Sequence, residues 1–187
     1  MGGRVTLCLA LASSVSSLAA EKKDAAFLFD DVAYWHRWSQ KGQNEFTPQG
    51  QEDLDRWTEM VTINLHEEVR DGEQLAVLAN QVLGRYQATG KILKTDSKPR
   101  TKEHPAEHFA AAVLVDPTFL EAAFARFVLI DGRGIVVVHS HRVYGTKAGN
   151  EMAAWLDKHG ADAEKSLMAW TQLPSLDRLK ALPQAPR

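Results

Sequence analysis

Leu120–Ile130 (LEAAFARFVLI), Asp131–Gly134 (DGRG) and Ile135–Tyr144 (IVVVHSHRVY) are two apolar segments separated by a short polar turn. β-Branched and aromatic residues suit extended backbone, and Asp-Gly supplies the positive φ that closes a hairpin. The stretch therefore predicts two antiparallel strands at the centre of a sheet. Upstream, His108–Val115 reads as another apolar strand, broken from the first by Asp116-Pro117. Before it, Glu73–Thr89 carries Leu75, Leu78, Ala79, Val82, Leu83 and Tyr86 as a helical stripe, with Gly90 as its exit. Met60, Thr62 and Asn64 alternate with Val61, Ile63 and Leu65, which is strand periodicity.

Towards the N-terminus, Glu45–Thr47 reads as a strand end, Pro48–Gly50 as a turn, and Glu52–Glu59 as a short helix burying Leu54 and Trp57. Trp35 and Trp38 are three apart, so Ala25–Gln40 reads as a short helix or irregular arm. Downstream, Asn150-Glu151 opens a helix with Met152, Trp155 and Leu156 on one face and Gly160 as its exit. A further helix spans Asp162–Thr171, Pro174 stops it, and Pro183 and Pro186 mark a loosely held tail. Strands in the middle without regular strand-helix alternation exclude a doubly wound fold. The expectation is a single compact α+β domain, residues 20–187, with a central antiparallel sheet and flanking helices.

The first residues, MGGRVTLCLALASSVSSLAA, combine Arg4, an apolar run over Val5–Ala12 and small residues at Ser17 and Ala19. That pattern predicts a signal peptide over residues 1–19 and a periplasmic or secreted product. The apolar run is too short for a hydrocarbon core of about 30 Å, so no integral membrane segment is expected in the mature chain. The single cysteine, Cys8, leaves with the signal, and a disulfide, a thiolate metal site or a cysteine nucleophile leaves with it. A formal charge of −2 predicts no general attraction to nucleic acid. The basic stretch Lys91–Lys102 reads as a solvated strand edge and loop, or as a local surface for an anion.

Candidate chemistry centres on the last strand of the hairpin. His139 and His141 are two apart, which puts both rings on one face of a strand, where they would approach a ligand or form a polar stripe paired with carboxylates. Arg126 and Arg142 interrupt apolar strands, and a buried guanidinium needs an acid, from a ligand or from this chain. With Tyr144 at the strand exit, the expected ligand-binding set is His139, His141, Arg142, Tyr144 and Arg126. A regular strand would send the two histidines and Arg142 to opposite faces unless a bulge intervened. His104 and His108 have helical spacing, complicated by Pro105, and with Glu103 and Glu107 would add metal ligands if they converged. No complete metal signature, nucleophile elbow or nucleotide fingerprint is present. No catalytic residue and no cofactor are therefore expected. Ser140 points away from both neighbouring histidines on a regular strand, which argues against a local nucleophile and base.

The run Glu45–Gln51, then Leu54, Trp57, Thr58 and Met60–Thr62, followed by the long helix and the hairpin, resembles small exported α+β proteins of PsbP/Mog1-like architecture. The resemblance covers the order of elements over Phe46–Gly160 and implies a binding or assembly module, with no catalytic residue to carry over. An NTF2-like cone is the competing fold, disfavoured because the longest helix does not open the domain. The functional expectation is an exported, non-catalytic binding or accessory protein recognising an envelope protein or a small ligand. The alternative is a metal-dependent or histidine-assisted hydrolase.

Overall fold

In the computed structural model, which describes residues 26–185, β7 (Phe119–Ile130) and β8 (Arg133–Tyr144) form the expected hairpin. They pair without interruption from Phe119 opposite Tyr144 to Ile130 opposite Arg133. The turn is tighter than the four residues read from the sequence. Asp131 and Gly132 alone close it, at φ +49 and +68, the two positive values a primed two-residue turn requires. Gly134 belongs to β8, and its missing side chain admits Val69, whose Cβ would lie 2.7 Å from any Cβ there. The Gly134 N–H donates to the Val69 carbonyl at 2.8 Å.

Four strands extend the sheet beyond β8 and two beyond β7. β1 (Phe27–Phe29), β2 (Val32–Gln40), β3 (Gln43–Thr47) and β4 (Glu59–His66) form one antiparallel meander. β5 (Gly90–Lys98), β6 (Glu107–Val115), β7 and β8 form a second. The meanders join through an antiparallel β4–β8 seam, giving the order β1-β2-β3-β4-β8-β7-β6-β5. Helix α1 (Gly72–Thr89) links them and packs on one face over Ala110, Ala125, Phe127 and Val136. Helices α2 (Ala148–Ala169) and α3 (Leu176–Lys180) cover the other, over Val61, Ile63, Phe124, Ile135 and Val137. Alternation along β7 and β8 thus feeds two cores, as period-two side-chain geometry dictates for a central hairpin buried on both faces. The chain is a single α+β domain with a central antiparallel sheet and flanking helices.

Several local expectations are corrected. Ala25–Gln40 is neither helix nor arm over its described part but the hairpin β1–β2, turned at Asp30 and Asp31 with φ +49 and +61. The three-residue spacing of Trp35 and Trp38 comes from a register shift between His36 and Trp38. It sets the two rings opposite Thr47 and Glu45, two apart on β3 and hence on one face. Glu52–Glu59 is not a helix. The Gln51 side-chain oxygen accepts from the Thr58 and Glu59 backbone N–H groups at 2.8 and 2.9 Å, stapling an irregular loop that buries Trp57. Gly160 does not end a helix, because Met152, Leu156, Ala163 and Leu167 continue one buried stripe across it, and that packing outweighs the roughly 1 kcal/mol a mid-helix glycine costs. The tail is docked, with Leu179 buried and the Ala185 N–H donating to the Ser39 carbonyl at 2.7 Å. His104 lies in a loop and His108 on β6, so their spacing is not helical. The signal-peptide segment 1–19 lies outside the described residues, within which no helix is long and apolar enough to cross a membrane.

Candidate functional site: an acid-histidine pocket under α2

The β4–β8 seam sets Glu59 directly opposite His141 and two residue pairs from His139, with all three side chains on the α2 face. Glu59 bridges both rings: Oε2 is 3.0 Å from His139 Nε2 and Oε1 is 2.6 Å from His141 Nδ1. An ionised carboxylate only accepts, so each of those ring nitrogens carries the hydrogen. Burial pushes the Glu59 carboxyl upward, but the hydrogen bonds and charge of the two histidines outweigh it and hold the group below the usual carboxylate range. His139 is 8% exposed, and its Nδ1 is buried with no hydrogen-bond partner among the described residues.

Helix α2 supplies the wall. Trp155 lies flat on His141, with centroids 4.1 Å apart and planes within 4°, and His159 follows one turn later at 5.6 Å from the Trp155 ring. Asp162 and Ala163 continue the same face, as three- and four-residue spacing requires. The β1–β2 hairpin supplies the opposite rim with Phe29, Asp30, Val32 and Tyr34. Asp30 is tied to α2 by the Ser166 hydroxyl, which donates to its Oδ1 at 2.9 Å. Between these walls lies a cavity of about 350 Å³, floored by Glu59 and His139. That volume is at the lower end of the roughly 300–1,000 Å³ of small-molecule clefts. Tyr34 is 2% exposed, and its hydroxyl hydrogen-bonds no described residue. Burial, then the charges of Glu59 and Asp30, push that hydroxyl's pKa well above the ordinary tyrosine value.

The five expected site residues are not brought together. His139 sits in this pocket's floor and His141 lies against its Glu59 and Trp155, whereas unbulged β8 carries Arg142 and Tyr144 to the α1 face. There Arg142 Nε donates to Glu121 Oε2 at 2.8 Å, and the guanidinium carbon lies 3.9 Å from the ring centres of both Trp57 and Phe119. The Tyr144 hydroxyl donates to the Trp57 carbonyl at 2.8 Å. Arg126 shares the histidines' face but points to the far end of α2. Its Nε donates to Glu107 Oε2 at 2.9 Å, and one terminal nitrogen donates to the Leu167 and Trp170 carbonyls at 3.1 and 2.7 Å. That is a side-chain cap for the negative end of the helix.

His104 and His108 do not join the histidine pair. His108 Nδ1 instead meets Ser97 Oγ at 2.9 Å on the outer strands. No group of three or more histidine, cysteine or acidic side chains is placed to hold a metal among the described residues. Glu59, Tyr34, Trp155, His159, Asp162 and Asp30 were not singled out by sequence reasoning. A signal for part of this group was present, because Trp155, His159 and Asp162 share one helical stripe, but pairing it with Glu59 needs the β4–β8 register.

No protein-family model matches the chain, and no curated protein matches it. Among solved structures it is similar to the Ran-binding protein Mog1p of Saccharomyces cerevisiae, at 15% identity over 71% of this chain and 77% of that one, with a TM-score of 0.43. It is also similar to a point mutant of protein Mog1, at 13% identity over 71% and 78%, with a TM-score of 0.41. Both are Mog1 proteins, one of the two groups that the order of elements resembles.

Proposed function

We propose that the chain is an exported, non-catalytic binding protein that holds a small ligand in the cavity between the β1–β2 hairpin and α2. The carrying observation is that cavity, where aromatic walls surround a few convergent polar groups, among them His139, whose Nδ1 is buried without a described partner. The hydrolase alternative lacks support from Ser140, which unbulged β8 places on the opposite face from Glu59, His139 and His141. Export, to the periplasm or the medium, rests on the residue pattern of 1–19. Arg142, one of the five residues expected to bind a ligand, is occupied by Glu121 and two rings and stands outside the proposed ligand set.

The test is a fragment collection observed by NMR against the chain and against Ala163→Met, which adds a side chain at a cavity-lining position. Fragments that bind the chain and are displaced by the substitution support the reading. Fragments that bind both proteins equally, or none that binds either, overturn it. A reporter enzyme fused behind residues 1–19 tests export, and retention in the cytoplasm overturns that half.

A further inference from the structure

We propose that this cavity takes a small organic cation, an ammonium or guanidinium group carried on an apolar body. The inference rests on the binding reading above and names the chemical class of its ligand. Three carboxylates line the cavity, Asp30 on the hairpin turn, Glu59 on the floor and Asp162 on α2, and no lysine or arginine lines it among the described residues. Glu59 is engaged by the two histidines through both oxygens, yet stays ionised because they hold its proton affinity down. Asp30 takes a single hydroxyl donor, and Asp162 has neither an ion pair nor a side-chain hydrogen bond among the described residues. With Glu59 paired to its histidines and the rings of His139 and His159 also lining the space, the carboxylates of Asp30 and Asp162, without ion pairs among the described residues, are what an anion would meet, whereas a neutral body would leave them unused.

The second observation is independent of the acids. Phe29, Tyr34 and Trp155 present aromatic surface to the same space, and the negative face of an aromatic ring attracts a desolvated cation. Tyr34 lines the cavity and is nine-tenths buried, and its hydroxyl has no hydrogen-bond partner among the described residues. Burial first, and then the neighbouring charges of Glu59 and Asp30, raise its pKa and keep it neutral. A phenol oxygen can accept a hydrogen bond, so a bound N–H group would supply the partner that this hydroxyl lacks among the described residues. The carboxylates are too dispersed to form a metal cluster, which favours a cation spread over a larger body.

Three probes of one shape separate the possibilities: benzylammonium, benzyl alcohol and benzoate, titrated into the full chain while the indole N–H of Trp155 is followed by NMR, assigned with Trp155→Phe. Benzylammonium is expected to bind about tenfold more tightly than benzyl alcohol, and benzoate least. Asp162→Asn, a change on the exposed side of α2, should weaken benzylammonium about three- to tenfold and leave benzyl alcohol unmoved. Equal or tighter binding of the alcohol or benzoate at Trp155 overturns the cation while leaving the pocket standing. So does indifference of benzylammonium to Asp162→Asn. If no probe reaches Trp155 and no fragment senses Ala163→Met, both readings fall together; if only the probes fail, the cation alone falls.

Discussion

The two faces of β8 hold similar chemistry in opposite states of completion. On the α1 face, Arg142 meets one carboxylate and two rings that sandwich it, and Tyr144 finds a carbonyl. On the α2 face, Glu59 meets two histidines and Trp155 stacks on one of them, but an open cavity, an unpaired ring nitrogen and an unpaired phenol remain. A charged residue inside an apolar strand therefore marks a binding site only when its surroundings leave hydrogen-bonding capacity unused. Arg142 has the more conspicuous sequence context, yet the quieter Glu59 lies beside the vacant space.

Arg142→Ala tests the difference most severely. It leaves Glu121 half-enclosed without its cation and removes the filling between Trp57 and Phe119, so chemical denaturation should show a loss of about 3 kcal/mol. Binding at Trp155 should survive; a change in probe affinity with stability intact would mean that the faces are not independent.

Glu59→Gln should cost less, about 2 kcal/mol, and abolish preference for a cationic probe, because it removes a charge-assisted acceptor and the fixed anion together. Its pH signature is also defined. The folded pKa lies below the ordinary value of 4.5, so the unfolded chain binds more protons in that window. The contribution is present above 4.5 and is lost as pH falls through the folded value. Denaturation midpoints measured from pH 6 downward should therefore drop more steeply for the parent chain than for Glu59→Gln, and parallel curves would refute the assignment.

Trp155→Leu keeps an apolar wall but removes the stack on His141, for an expected loss of about 1 kcal/mol in thermal or urea unfolding. The smallest expected change is Asp162→Asn, within about 0.5 kcal/mol of the parent in stability, which sharpens the contrast because the same change is expected to alter ligand choice. A large stability loss there would show that Asp162 supports the helix instead of facing a ligand.

Much of the fold was legible because burial imposes a period. The valine-rich run of β8, the alternation of β4 and the long stripe of α1 each announce their element locally. The failures occur where a local pattern has two physical causes. A bulge in β2 mimics helical spacing for Trp35 and Trp38, and Gly160 looks like an exit although packing on both sides carries the helix through it. The candidate site was half legible for the same reason. Two histidines two apart must share a face, but their acid lies 80 and 82 residues away, where no periodicity connects them. The expectation that β8 would split Arg142 from the histidines was available from strand geometry, and the uninterrupted register realises it.

The seam between the two meanders has a consequence for how the chain acquires its chemistry. Glu59 arrives with the first meander and the histidines with the second, so neither half possesses the site by itself. Contacts of such sequence separation carry a heavy loop-closure cost and are slow to form. The pocket is thus a certificate of assembly: a fragment ending in α1 or one beginning at β5 would each bring one wall, and binding at Trp155 would report that the two had closed into one sheet.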